Sequence, residues 1–94
     1  MTLAKIPILL EKVKKEDLDK QILRTAILAE LDAINLYEQM ANLTDDKNLK
    51  IVLLDVAKEE KEHVGEFQYL LLKRDKQQAE ELEEGKKEVE ELLG

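Results

Sequence analysis

Three polar residues stand where the sequence otherwise places apolar ones. Glu30 falls three residues after Ile27 and three before Ala33, Glu60 falls four after Val56, and His63 falls four before Phe67. Spacings of three and four return to the same face of an α-helix, so all three residues interrupt stripes that would face a core. A carboxylate buried without a partner costs several kcal/mol, so such residues need a compensating group. Glu60-x-x-His63 offers an oxygen and a nitrogen from one helix face, and Glu30 offers a second carboxylate. That mixed set suits iron or manganese better than a thiolate-seeking metal.

A Glu-x-x-His pair alone arises by chance in a chain with 22 acidic residues. What raises it above chance is its company: Glu30 shares its height if the chain folds back near Asp45. Glu59, Glu62 and Glu66 serve as internal comparisons, because they fall off the apolar stripe and read as solvated.

The elements that must position these residues follow from periodicity. Residues 16–41 read as one amphipathic helix, with Leu23, Ala26, Ile27, Ala33, Ile34, Tyr37 and Met40 on its buried face. Asn42 is suited to a left-handed helix terminus, and Thr44 or Asp45 to capping the next helix. A second helix follows over residues 46–74, with Leu49, Val52, Leu53, Val56, Phe67, Leu70 and Leu71 inward. So short a connection requires the two helices to lie antiparallel. Residues 76–93 are almost all Glu, Lys, Gln and Leu, with Ala79, Leu82, Val89 and Leu93 at heptad-like spacing. Gly85 weakens this stretch and Lys86 fills one apolar position, so it reads as a third helix seeking a partner surface, or as a linker. No strand pattern competes, and the fold class is all-α.

Ninety-four residues with three aromatic side chains (Tyr37, Phe67 and Tyr69) make a small core, and oligomerisation would relieve that shortage. The chain has no cysteine, which excludes disulfides and thiolate metal sites within it and makes the cytoplasm the default location. A formal charge of −7 and the lack of a basic stripe argue against a nucleic-acid partner. The opening MTLAKIPILL is apolar but too short for a signal peptide, and nothing approaches a membrane span.

One chain supplies half of a familiar ligand set. Four-helix di-iron bundles use a Glu from each of two helices and a Glu-x-x-His from each of the other two. This chain has one of each, so a two-fold dimer with the site on its axis would gather four carboxylates and two imidazoles.

The residues also resemble a family. The run Ala29-Glu30-Leu31-Asp32-Ala33-Ile34-Asn35-Leu36-Tyr37 is similar to the first-helix signature of rubrerythrin and ferritin-like proteins. Lys58-Glu59-Glu60-Lys61-Glu62-His63 is similar to their second-helix metal motif. With one copy of each motif, the chain most resembles the encapsulated ferritins, iron-oxidising cargo of encapsulin nanocompartments. The resemblance implies a single ferritin-like domain over residues 1–94, a hairpin that dimerises into a four-helix bundle, and dimers assembled into a decameric ring. It implies iron as the metal, Glu30, Glu60 and His63 as ligands and catalytic residues, and Tyr37 as a neighbour of the site. It also implies ferroxidase activity serving iron storage inside an encapsulin shell. Two departures stand out. Of the two positions where relatives carry acidic residues thought to guide iron inward, this sequence has Ala29 at the first and Asp32 at the second, so Asp32 is the entry residue the resemblance implies and the route is incomplete at Ala29. The chain also ends at Glu91-Leu92-Leu93-Gly94 without an evident capsid-docking segment, which leaves open a truncated chain, a domain of a shell fusion and a stand-alone relative. Beside ferroxidase activity stand two alternatives: a rubrerythrin-like peroxidase, disfavoured by the missing cysteine-bound relay iron, and a non-catalytic helical assembly module.

Overall fold

The computed structural model describes residues 10–94, and the apolar run at residues 1–9, with Pro7, lies outside the described residues. Two short 3-10 turns, Leu10–Lys12 and Lys15–Asp17, lead into three α-helices: α1, Leu18–Leu43; α2, Lys47–Arg74; and α3, Lys76–Leu93. The chain is all-α, an antiparallel hairpin of α1 and α2 followed by a C-terminal helix.

The hairpin turn differs from its expected chemistry. Asn42 stays helical, and α1 ends where Thr44 turns extended, at φ −88° and ψ 142°. No non-glycine residue among those described has positive φ, so the reversal uses no left-handed residue. Thr44 Oγ1 accepts a hydrogen bond from the Asp46 backbone N–H at 3.1 Å. Asp46, rather than Thr44 or Asp45, caps α2 by accepting from the Leu49 N–H at 3.0 Å. An extended exit at Thr44 leaves the next two residues to make the turn, which places Asp46 at the cap.

Cross-helix pairings give the register. As the α1 partner advances from Arg24 to Glu30 to Glu38, the opposing residue retreats from Asp75 to His63 to Lys61. The apolar seam is built from small residues: Ala33, Ala41 and Ala57 are almost wholly enclosed, with Leu23 and Leu71 towards the open end. Leu49, Val52 and Leu70, expected inward, are instead 48%, 58% and 42% exposed. The reason is geometric, since a broad apolar stripe on one helix cannot be covered by a single partner helix.

The molecule is accordingly extended. Its radius of gyration is 16.5 Å, against about 12 Å for a compact chain of this length. Its extents are 46 × 44 × 20 Å. The helix α2 alone is about 42 Å long, so α3 leaves sideways from the end of the hairpin instead of continuing it. The first turn of α3, at Gln78 and Ala79, is half-buried, and from Glu80 onward the helix is exposed.

Candidate metal centre

Glu30 sits near the middle of α1, and Glu60 and His63 lie one turn apart on α2. The antiparallel register brings them together. His63 Nδ1 lies 3.2 Å from Glu30 Oε2 and 3.4 Å from Glu60 Oε2. One ligand atom from each of the three falls within 4.8 Å of the other two, the spacing of groups that share one ion. Among the described residues no other cluster of His, Asp and Glu meets that spacing.

Burial grades the site. The carboxylates are 20% and 18% exposed and the imidazole 44%, so the acids line the seam and the ring stands at its edge. In the single chain one atom, His63 Nδ1, stands within reach of both carboxylates, so the three side chains close on one point. Beside the site Lys61 Nζ lies 3.5 Å from Glu38 Oε2, tying the two helices together one residue from Glu60. His63 also lines an open cavity of about 300 Å³ with Asp55, Lys58, Glu59 and Glu62. That groove runs along α2, and its carboxylates stay outside the three-residue cluster.

Tyr37 and Asp32 stand apart from that cluster. Tyr37 is half-buried on α1, two turns and about 10 Å along the axis from Glu30. Asp32, also half-buried, is two residues past Glu30, which turns it about 200° around the helix from that carboxylate. Asp75, at the boundary between α2 and α3, makes a pairing the sequence did not flag. Its carboxylate takes a hydrogen bond from Arg24 Nη2 at 2.6 Å and another from the Gln78 N–H at 3.0 Å. Nothing in the local pattern marks Arg24, fifty-one residues away, as its partner.

Known proteins match the chain in the same terms. The model of the EncFtn-like family matches residues 7–89. The chain belongs to the EncFtn-like family. Over 80 residues it is 61% identical to a ferritin-like–encapsulin shell fusion protein of Pyrococcus furiosus, an alignment covering 85% of this chain and 23% of that protein. Over 57 residues it is 44% identical to the encapsulin nanocompartment cargo protein EncC of Myxococcus xanthus, covering 61% of this chain and 44% of that one. The chain therefore spans less than half the length of either curated relative. The crystal structure of the encapsulated ferritin domain from Pyrococcus furiosus superposes with a TM-score of 0.82 at 53% identity, covering 96% of this chain and 94% of that one. The hairpin with its sideways third helix is thus the architecture of an encapsulated ferritin domain. Among the described residues no helix is long and apolar enough to cross a membrane.

Proposed function

We propose that this EncFtn-like chain is a ferroxidase, taking Fe(II) as substrate and oxygen as electron acceptor at a di-iron site shared by two copies. The observation that carries this reading is the convergence of Glu30, Glu60 and His63 within 4.8 Å on facing helices of one hairpin. Three ligands are too few to hold two ions, and the two-fold copy supplies three more. Two ferrous ions held side by side can deliver two electrons to one dioxygen. Glu30 and Glu60 would hold the iron, their negative charge favouring the ferric product, and His63 would supply a nitrogen from the rim.

Packing supports the pairing. Five apolar residues are buried among those described, three of them alanines, while Leu28, Leu31, Leu49, Val52 and Leu54 stay about half exposed. Apolar surface is thus left on both helices for a second hairpin to cover in a four-helix core. We extend the reading to residues 1–94 as one ferritin-like half-unit, to assembly of dimers into a ring of decameric size, and to storage of the oxidised iron inside an encapsulin shell. The two curated relatives, one a shell fusion and one a nanocompartment cargo, support that partner. The location that follows is the cytoplasm, within the compartment. Tyr37 and Asp32 are proposed to act from outside the ligand set, as a neighbour of the bound iron and on its path inward.

The test is aerobic titration with ferrous iron, followed by ferric absorbance and oxygen uptake. A ferroxidase saturates at one iron per chain and loses that phase in Glu60→Ala. Oxidation no faster than in protein-free buffer would leave the three residues as a hydrogen-bonded helix interface. A rate dependent on peroxide instead of oxygen would favour peroxidase chemistry.

A further inference from the structure

Between Leu72 and Ala79 the chain bends at Asp75, a capping residue followed three positions later by Gln78. The segment Leu72-Lys73-Arg74-Asp75-Lys76-Gln77-Gln78-Ala79 contains neither proline nor glycine, and most of its residues are strong helix formers. Without that break, α2 and α3 would run on as one helix from Lys47 to Leu93, about 70 Å long. Instead Asp75 adopts φ −129° and ψ 86°, outside the helical region. The backbone ladder stops at the Asp75 N–H on Leu71 O and resumes at the Ala79 N–H on Asp75 O. Pairings that a straight helix would make are given up there, and something else must offset them.

The offset is visible in the Asp75 side chain. One carboxylate oxygen accepts from the Gln78 N–H at 3.0 Å, capping α3. The other accepts from Arg24 Nη2 at 2.6 Å, reaching across to α1. The Asp75 side chain is 12% exposed and that of Arg24 46%, so one end of the pair is enclosed and the other stays open to solvent. A capped α3 start alone could swing in any direction. The guanidinium fixes the joint to the hairpin, because Arg24 lies nearly two turns into the body of α1.

We propose that Arg24 and Asp75 form a latch holding α3 sideways against a competing straight α2–α3 helix, so that this pair sets the direction in which α3 is presented. The device separates two tasks. The hairpin positions Glu30, Glu60 and His63 whether or not the latch is closed, while the direction of α3 follows the latch. Substituting the latch should therefore change shape before it changes the metal centre.

The experiment measures one distance. The native chain has no cysteine, so spin labels on Lys50→Cys and Glu90→Cys report cleanly. Doubly labelled chains are diluted into unlabelled protein to suppress signals between copies. Forty residues of straight helix would separate the sites by about 60 Å. The parent should give one distance well short of that. Asp75→Ala, which removes cap and pair together, should shift most chains towards the long distance with far-ultraviolet helicity kept or raised. Arg24→Gln and Asp75→Asn each keep a cap and break the ion pair, and both should give a mixture of the two. The double variant Arg24→Gln/Asp75→Asn should be no more extended than either alone, since both remove one interaction. An unchanged distance in Asp75→Ala would mean that packing holds the bend, and the latch would be overturned. A parental distance in Arg24→Gln and Asp75→Asn beside a straightened Asp75→Ala would assign the bend to the cap alone, and would overturn it equally.

Discussion

His63 Nδ1 lies 3.2 Å from Glu30 Oε2 although thirty-three residues separate them in sequence. This contact joins the two halves of the hairpin at the height where Glu60 also points inward. It turns two separate motifs into one ligand cluster, and the proposed chemistry depends on it.

Ligands and bystanders on α2 should separate cleanly. Glu30→Ala, Glu60→Ala and His63→Ala each remove two of six ligands from a symmetric dimer, so each should abolish most of the saturable iron oxidation. Glu66 is exposed and off the stripe. Its replacement by Ala should leave the rate within about twofold, the usual reach of surface changes. Stopped-flow ferric absorbance on the four variants decides this. Comparable damage from Glu66→Ala would mean the helix phasing is wrong.

Ferrous iron should drive association. Each chain holds half a ligand set, so an ion bound between two chains adds its binding free energy to the interface. At a hundred times its dissociation constant that is about 2.7 kcal/mol per site. Native mass spectrometry under anaerobic conditions should show even-numbered species growing with added iron. Iron-loaded monomers alone would contradict a shared site.

Without metal, the same dimer is opposed by its own charge. Two hairpins bring Glu30 and Glu60 and their symmetry mates towards one axis, where like charges repel. Glu60→Gln keeps the side chain's shape and removes two of those charges per dimer. The variant should dimerise more tightly than the metal-free parent in sedimentation experiments while failing to oxidise iron. Equal dimer affinities would argue that the carboxylates do not converge.

Acid should release the α2–α3 joint. Asp75 is held below its ordinary value of 3.8, first by the Gln78 N–H and then by Arg24 and nearby Lys20, with burial opposing. A carboxyl whose folded pKa is lowered contributes stability that is complete above its unfolded pKa and is lost as pH falls through the folded one. The difference in thermal midpoint between the parent and Asp75→Asn should therefore be constant from neutral pH down to about 5 and shrink below about 4. A difference that grows with acid would reverse the assigned sign.

Gly85 lies inside α3, and a side chain there would meet nothing within 4 Å. Gly85→Ala should therefore stabilise α3 by about 0.8–1 kcal/mol through helix propensity alone. Hydrogen exchange along residues 80–90 is the direct measurement, with slower exchange expected in the variant. Faster exchange would show that the assembled protein uses the space beside Gly85.

Local pattern was enough to mark the three residues that converge and the helices that carry them. Period-3.6 stripes interrupted at Glu30, Glu60 and His63 are a property of neighbouring residues, and a short polar connection leaves two long helices only one way to lie. The turn was misread in detail because Asn42, Thr44, Asp45 and Asp46 all have capping chemistry. Which of them caps depends on where α1 stops, and the extended backbone at Thr44 decided that. The stripe over Leu49, Val52 and Leu70 was legible as apolar, but periodicity cannot say whether the cover comes from this chain or another. What only the tertiary structure decided is the direction α3 takes from the break at Asp75. Asp75 and Gln78 mark a helix start in the sequence, but the group that takes up the other carboxylate oxygen lies fifty-one residues away on α1. Local sequence sets the cost of each backbone conformation, whereas a contact between distant residues exists only once the hairpin has closed.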